Sequence, residues 1–104
     1  ANQGHSAAVE LQFEAEDPPA ELFHGTAERH LASILSEGLV KKSRHHVHLS
    51  PDADTAWKVG SRHGSPVVLA VDAARMRANG HTFYRSANGV WLVEHVPPEY
   101  LRQL

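Results

Sequence analysis

"LFHGTAERHLASILSEG", residues 22–38, decides how the chain is read, because its hydrophobic period changes within a few residues. Leu22, Phe23 and His24 suit a short strand running into Gly25 and Thr26, and Leu31, Ile34 and Leu35 then recur at helical spacing on one face. Thr26 is the predicted N-cap of that helix, and Gly38 is its predicted stop. The segment reads as strand, glycine turn, helix.

The same unit returns downstream. Val47, His48 and Leu49 predict a second strand, and Ser50 as cap with Pro51 at the first helical position opens a helix in "DADTAWKVGSRHG", residues 52–64. "PVVLAVD", residues 66–72, is an apolar run that fits a fully buried strand, and "AARMRANG", residues 73–80, is a short helix closed by Asn79 and Gly80. Next come a strand ending at Tyr84, a polar turn over 86–89, a strand over 90–93 and a last turn after Pro97 and Pro98. Near the start, Val9, Leu11 and Phe13 alternate with Glu10 and Gln12, predicting a strand buried on one face that breaks over 14–19. Strands and short helices without strict alternation give the α+β class rather than a doubly wound sheet.

With 104 residues and 41% hydrophobic content, the chain has material for one core, so residues 1–104 are expected to form a single domain. It contains no cysteine, which excludes disulfides, zinc–thiolate sites and a cysteine nucleophile; a cytoplasmic location is the default expectation. No apolar run approaches the ~20 residues that a membrane-spanning helix needs, and no membrane partner is expected. The first residue is not methionine, which fits a processed product or a fragment.

The formal net charge of −2 speaks against bulk electrostatic binding of nucleic acid. Its distribution is uneven: residues 1–40 carry seven acids against Arg29, whereas residues 41–104 carry nine Lys or Arg against five acids. An anionic ligand is expected at the second part.

"KKSRHHVHLS", residues 41–50, is the densest group of chemically active side chains. A metal site is one reading, since His46 and His48 share a strand face, but a third ligand from His24, His63 or a distant acid would follow no recognised spacing, and none is assigned. Histidines facing solvent or bonded to backbone are a second reading. Phosphate binding is a third: Arg44 offers a planar fork of donors, Lys41 and Lys42 raise the local potential, and Thr26 and Ser50 would sit at helix N-termini. In "HGT", residues 24–26, an imidazole beside a bare glycine backbone would let a flat ligand approach closely. Asn88 and Gly89 are accounted for by hairpin chemistry. No catalytic triad, Gly-rich nucleotide loop or P-loop is present.

Taken in order, "QGHS" at 3–6, "LFHGT" at 22–26, "ILSEGL" at 34–39, "SRHHVHLS" at 43–50, "VGSRHG" at 59–64, "PVVLAVD" at 66–72 and "FYRSANGVWL" at 83–92 resemble the RNA 2′-phosphotransferase family of KptA and Tpt1 proteins. The resemblance implies an NAD-binding lobe with an ADP-ribosyltransferase-like fold, two small sheets flanked by short helices. It implies a transferase that clears an internal 2′-phosphate from RNA, typically a tRNA splice junction. The phosphate attacks the nicotinamide ribose carbon of NAD, expelling nicotinamide; the ribose 2-hydroxyl then attacks the phosphate, releasing RNA and ADP-ribose cyclic phosphate.

By the same resemblance His24, Gly25 and Thr26 hold the nicotinamide ribose and carboxamide, and His48 and Ser50 line the NAD cleft, His48 counting also among the catalytic residues. Asn88, Gly89 and Val90 complete the cofactor set. Val90 stands where other ADP-ribosyltransferases often carry a glutamate; an apolar residue suits a nucleophile that is already anionic and needs no general base. Arg44 grips the phosphate. The family's other essential residues, an arginine–histidine pair and a second arginine, lie in an upstream winged-helix-like lobe that these 104 residues do not match. The expectation is therefore a monomeric NAD lobe whose RNA contact falls mainly to that lobe, with little activity alone. A shortened ADP-ribosyltransferase or NAD hydrolase with another acceptor, or a module that binds NAD or ADP-ribose without chemistry, is the alternative.

Overall fold

A computed structural model of the chain describes residues 14–41 and 45–104. The strand expected over 9–13, the "QGHS" motif and Arg44 lie outside the described residues.

The described part is α+β. Strand β1 (Leu22–Ala27) leads through a 3-10 turn (Glu28–His30) into helix α1 (Leu31–Glu37) and the short β2 (Leu39–Val40). Strand β3 (Val47–Leu49), helix α2 (Ala53–Ser61), strand β4 (Pro66–Val71) and helix α3 (Ala73–Ala78) follow. The chain ends in β5 (Tyr84–Arg85), β6 (Trp91–Val93), β7 (His95–Val96), a 3-10 turn (Pro98–Tyr100) and β8 (Leu101–Gln103). The strands form three small sheets rather than two, ordered β1-β4-β8, β2-β7 and β3-β6-β5, with every pairing antiparallel.

The run over 66–71 is the middle strand of its sheet, as its near-continuous apolarity requires, and Leu69 and Val71 are completely buried. Leu22 pairs with Val71 at one end of β1 and Ala27 with Pro66 at the other. In β3, Val47 and Leu49 turn inward while His48 is exposed, the period-two alternation expected of a half-buried strand. Leu22, Val47, Leu49, Val71, Met76, Phe83, Trp91, Val93 and Val96 belong to one buried cluster, with Ile34 packed against it.

Both predicted serine and threonine caps are corrected. Thr26 lies inside β1, paired with Val67 and buried, and the 3-10 turn after Ala27 starts without a side-chain cap. Ser50 is still extended: its N–H donates to the Phe23 carbonyl at 2.7 Å and its carbonyl accepts from Phe23 N–H at 2.8 Å. Because those backbone groups serve strand pairing, helix α2 starts later, and Asp52 caps it by accepting from Thr55 N–H at 2.7 Å. Asp72 caps α3 in the same manner, accepting from Arg75 N–H at 3.3 Å. Helix α1 has no fully buried residue, and Leu35 is exposed instead of facing the core with Ile34. Gly38 stops α1 as expected, with φ +85.

Helix α2 lies directly on β1, and the contact is made by backbone. A Cβ added to Gly25 would stand 1.6 Å from the Ala56 carbonyl oxygen and 2.9 Å from Gly60 N; one added to Gly60 would stand 2.8 Å from the Thr26 carbonyl oxygen. Gly25 is thus required for helix–strand packing, a role that the sequence did not show.

Gly25→Ala is expected to cost at least ~3 kcal/mol, because a fixed backbone carbonyl cannot swing away, and Gly60→Ala about 1–3 kcal/mol. Asp72→Ala should cost only about 1 kcal/mol through the lost cap. Urea titrations of the three variants check the order; a Gly25→Ala midpoint equal to that of the unsubstituted chain would refute the close approach.

Candidate functional site

The bonds between Phe23 and Ser50 join the β1 sheet to the β3 sheet, and the angle between the two sheets opens into a cleft of about 520 Å³. That volume is within the range of small-molecule sites. β1 supplies Phe23, His24, Gly25 and Thr26; β3 supplies Val47, His48 and Leu49, with Ser50 following; Thr55, Val59 and His63 come from α2 and its C-terminal end, and Val90 from the start of β6. Six of the sequence-predicted residues therefore meet in one place: His24, Gly25, Thr26, His48, Ser50 and Val90.

Asn88 and Gly89 are not part of that lining. They sit in the β5–β6 turn, where Ser86 N–H donates to the Val90 carbonyl at 2.8 Å and Gly89 N–H donates to the Ser86 carbonyl at 3.0 Å. The Ser86 hydroxyl accepts from Val90 N–H at 3.2 Å, so this turn fixes the approach of Val90 to the cleft. Arg44 lies outside the described residues.

His24 has the most distinctive environment. Its Nδ1 is 3.1 Å from the His48 carbonyl oxygen. Burial lowers its pKa below the usual histidine value near 6.5, with the neighbouring His48 and His63 acting in the same direction and the hydrogen bond to the His48 carbonyl opposing it. A carbonyl can only accept, so Nδ1 carries the proton, and on a neutral ring Nε2 is left as an acceptor. The bond also ties β1 to β3 across the cleft.

His30, His46 and His63 line the cleft as well, together with Lys41 and Glu37. The His46 ring meets the Tyr84 ring edge-on at 5.5 Å between centroids. Lys41 donates to Glu94 at 2.9 Å, which holds the Glu94 carboxyl below its usual pKa. Among the described residues no group of three or more His, Cys, Asp or Glu is arranged to hold a metal ion. Sequence reading did not find His30, because it lies in a 3-10 turn that carries no hydrophobic period; His63 was visible only as a distant histidine with no spacing to His48.

The direction of the His24 shift gives a pH dependence. The unfolded chain binds protons below about pH 6.5, whereas the folded chain resists them until a lower pH. The stability that comes from keeping His24 neutral is therefore present above about pH 6.5 and is lost as pH falls below it. The drop in melting temperature between about pH 7.5 and 5.5 should be smaller in His24→Gln than in the unsubstituted chain, and an NMR titration should place the His24 ring below a free histidine. Equal drops in both chains would contradict this.

A family model described as RNA 2′-phosphotransferase, Tpt1/KptA family, matches residues 1–95. A protein of Nostoc punctiforme named "Probable RNA 2′-phosphotransferase" is 59% identical over 104 residues, covering all of this chain and 58% of the relative. One of the same name from Streptomyces coelicolor is 59% identical over 102 residues, 98% of this chain and 56% of the relative. Another, from Pseudomonas fluorescens, is 55% identical over 103 residues, 98% of this chain and 57% of the relative. The chain is thus similar to a little over half the length of these relatives.

Proposed function

The chain belongs to the RNA 2′-phosphotransferase, Tpt1/KptA family, and from that membership we propose that residues 1–104 form the NAD-binding, ADP-ribosyltransferase-like unit of an enzyme that moves a 2′-phosphate from RNA to NAD. The observation that carries the reading is the meeting of His24, Thr26, His48, Ser50 and Val90 on one cleft, with His24 held neutral.

The residues suit a dinucleotide carrying a flat, uncharged-leaving base. Half-buried Phe23, Val59 and Val90 give an apolar wall for nicotinamide. The acceptor Nε2 of neutral His24 suits a ribose hydroxyl, and a neutral ring adds no positive charge beside a nicotinamide that is already cationic. His30, His48 and His63 are donors for phosphate oxygens along the same wall. When bound, NAD supplies an electrophilic ribose carbon and a leaving group. Val90 places no ionisable side chain at the cleft, which is compatible with a phosphate nucleophile that needs no proton removed. Arg44 is proposed as the phosphate clamp and His48 as its partner in catalysis. We place the main RNA contact, at a tRNA splice junction, on the part of the relatives' length beyond this chain, and expect the isolated chain to be a monomer with little turnover. No helix among the described residues is long and apolar enough to cross a membrane.

Calorimetric titration with NAD tests the cleft: His24→Ala should abolish or strongly weaken binding, while Arg44→Ala should leave most of it. No binding by the intact chain would overturn the reading. Nicotinamide release measured with and without 2′-phosphorylated RNA then assigns the chemistry: release without such RNA identifies an NAD hydrolase, and binding without any release identifies a non-catalytic module.

A further inference from the structure

Among the described residues, Lys41, Arg75, Arg77, Arg85 and Arg102 each lie within 4.0 Å of a carboxylate oxygen. Arg29 has no such acid among them and is committed to main chain instead: its guanidinium donates to the His63 carbonyl at 2.6 Å. Bonded to a neutral carbonyl, the guanidinium settles no charge; it fixes where a backbone runs.

The backbone that it fixes is the loop between α2 and β4. Helix α2 ends with Arg62 as its C-cap, so the His63 carbonyl lies just past the helix, where carbonyls lack a helical partner. Arg29 supplies that partner, and its charge has the sign that a helix C-terminus favours. Two residues on, the Ser65 carbonyl accepts from Glu28 N–H at 2.8 Å, so the 3-10 turn after β1 grips the loop on both sides of Gly64. The guanidinium passes beside Gly64: a Cβ there would stand 3.0 Å from Nη1. His63 lines the cleft and its charge bears on His24, whereas Arg29 is not among the lining residues. In "VGSRHG", residues 59–64, three positions thus have separate tasks: Gly60 packs on β1, His63 lines the cleft and Gly64 makes room for Arg29.

We propose that Arg29 is a positioning residue: by holding the His63 carbonyl it keeps His63 where the ring donates to a phosphate oxygen of the bound dinucleotide. This rests on the reading of the cleft as an NAD site. Without the Arg29 bond the loop keeps the link between Glu28 and Ser65 but loses the hold on the His63 carbonyl. The ligand must then order His63 as it binds, and that cost appears as lost affinity.

The test is a double-mutant cycle read by NAD calorimetry and by thermal melting on the same samples: the intact chain, Arg29→Gln, His63→Ala and the two together. Arg29→Gln should weaken NAD binding by about three- to ten-fold, the worth of one hydrogen bond. His63→Ala should weaken it at least as much, and adding Arg29→Gln to His63→Ala should weaken it no further. Melting should behave differently. The His63→Ala chain retains the backbone carbonyl that Arg29 holds, so Arg29→Gln should lower the melting temperature equally in both backgrounds. NMR relaxation should show the Gly64 amide becoming more mobile in Arg29→Gln. Arg102→Gln, which breaks the contact with Glu21 far from this loop, should leave NAD affinity unchanged. An Arg29→Gln chain that binds NAD as the intact chain does overturns the proposal, as does NAD binding that survives His63→Ala undiminished. Additive losses of affinity in the double variant also overturn it, since Arg29 would then act on the ligand without His63. Each of these leaves the NAD reading standing; no NAD binding by the intact chain removes that reading and this inference with it.

Discussion

The closeness of two backbones at Gly25 and Gly60 is the constraint on which the rest of the structure depends. Helix α2 approaches β1 so nearly that the Ala56 carbonyl occupies the space where a side chain at position 25 would begin. At that separation the helix covers β1 and the buried strand β4 beside it, and Ala56 is fully buried. A more distant helix would leave Thr26 and the apolar run over 66–71 open to water, and the sheet would lose one of its covers.

The cleft follows from that placement. With α2 fixed on β1, its Thr55, Val59 and His63 can form one wall, and β3 comes against the other end of β1 through the paired bonds of Phe23 and Ser50. His24, adjacent to Gly25 in β1, is bonded to the His48 carbonyl and shielded enough to stay neutral. Packing and chemistry are therefore produced by adjacent residues of one strand: Gly25 serves the fold, and His24 on its other side serves the site.

Much of this was legible in the sequence. The strands at 22–24, 47–49 and 66–71 and helices α2 and α3 carry period or composition strong enough to read, although Gly25 and Thr26, expected as a glycine turn, continue β1 to Ala27, and the motifs at 24–26, 48–50 and 90 converge on one cleft. Other features were hidden for physical reasons. Strands β2 and β7 have two residues each, too few for any period, and exist only because each pairs with the other. Ser50 and Thr26 have cap chemistry in their side chains, but their backbone groups are committed to strand pairing, and only tertiary contact decides between the two uses. The packing role of Gly25 was hidden, since nothing local tells a glycine that admits a ligand from one that admits a helix. Asn88 and Gly89 read correctly as turn chemistry and contribute to the cleft only through the position of Val90. Arg44 lies outside what the structure describes.

Strand β8 is formed by Leu101–Gln103 and closes the sheet by pairing with the middle strand, β4, while Arg102 reaches back to Glu21 next to β1. On the ribosome this ordering imposes a wait. β1, α2 and β4 can assemble as soon as they emerge, but one edge of β4 keeps unpaired N–H and carbonyl groups until nearly the last codon of this segment has been read and those residues have cleared the exit tunnel. During that interval the exposed strand edge is the molecule's point of vulnerability to pairing with a neighbouring nascent chain.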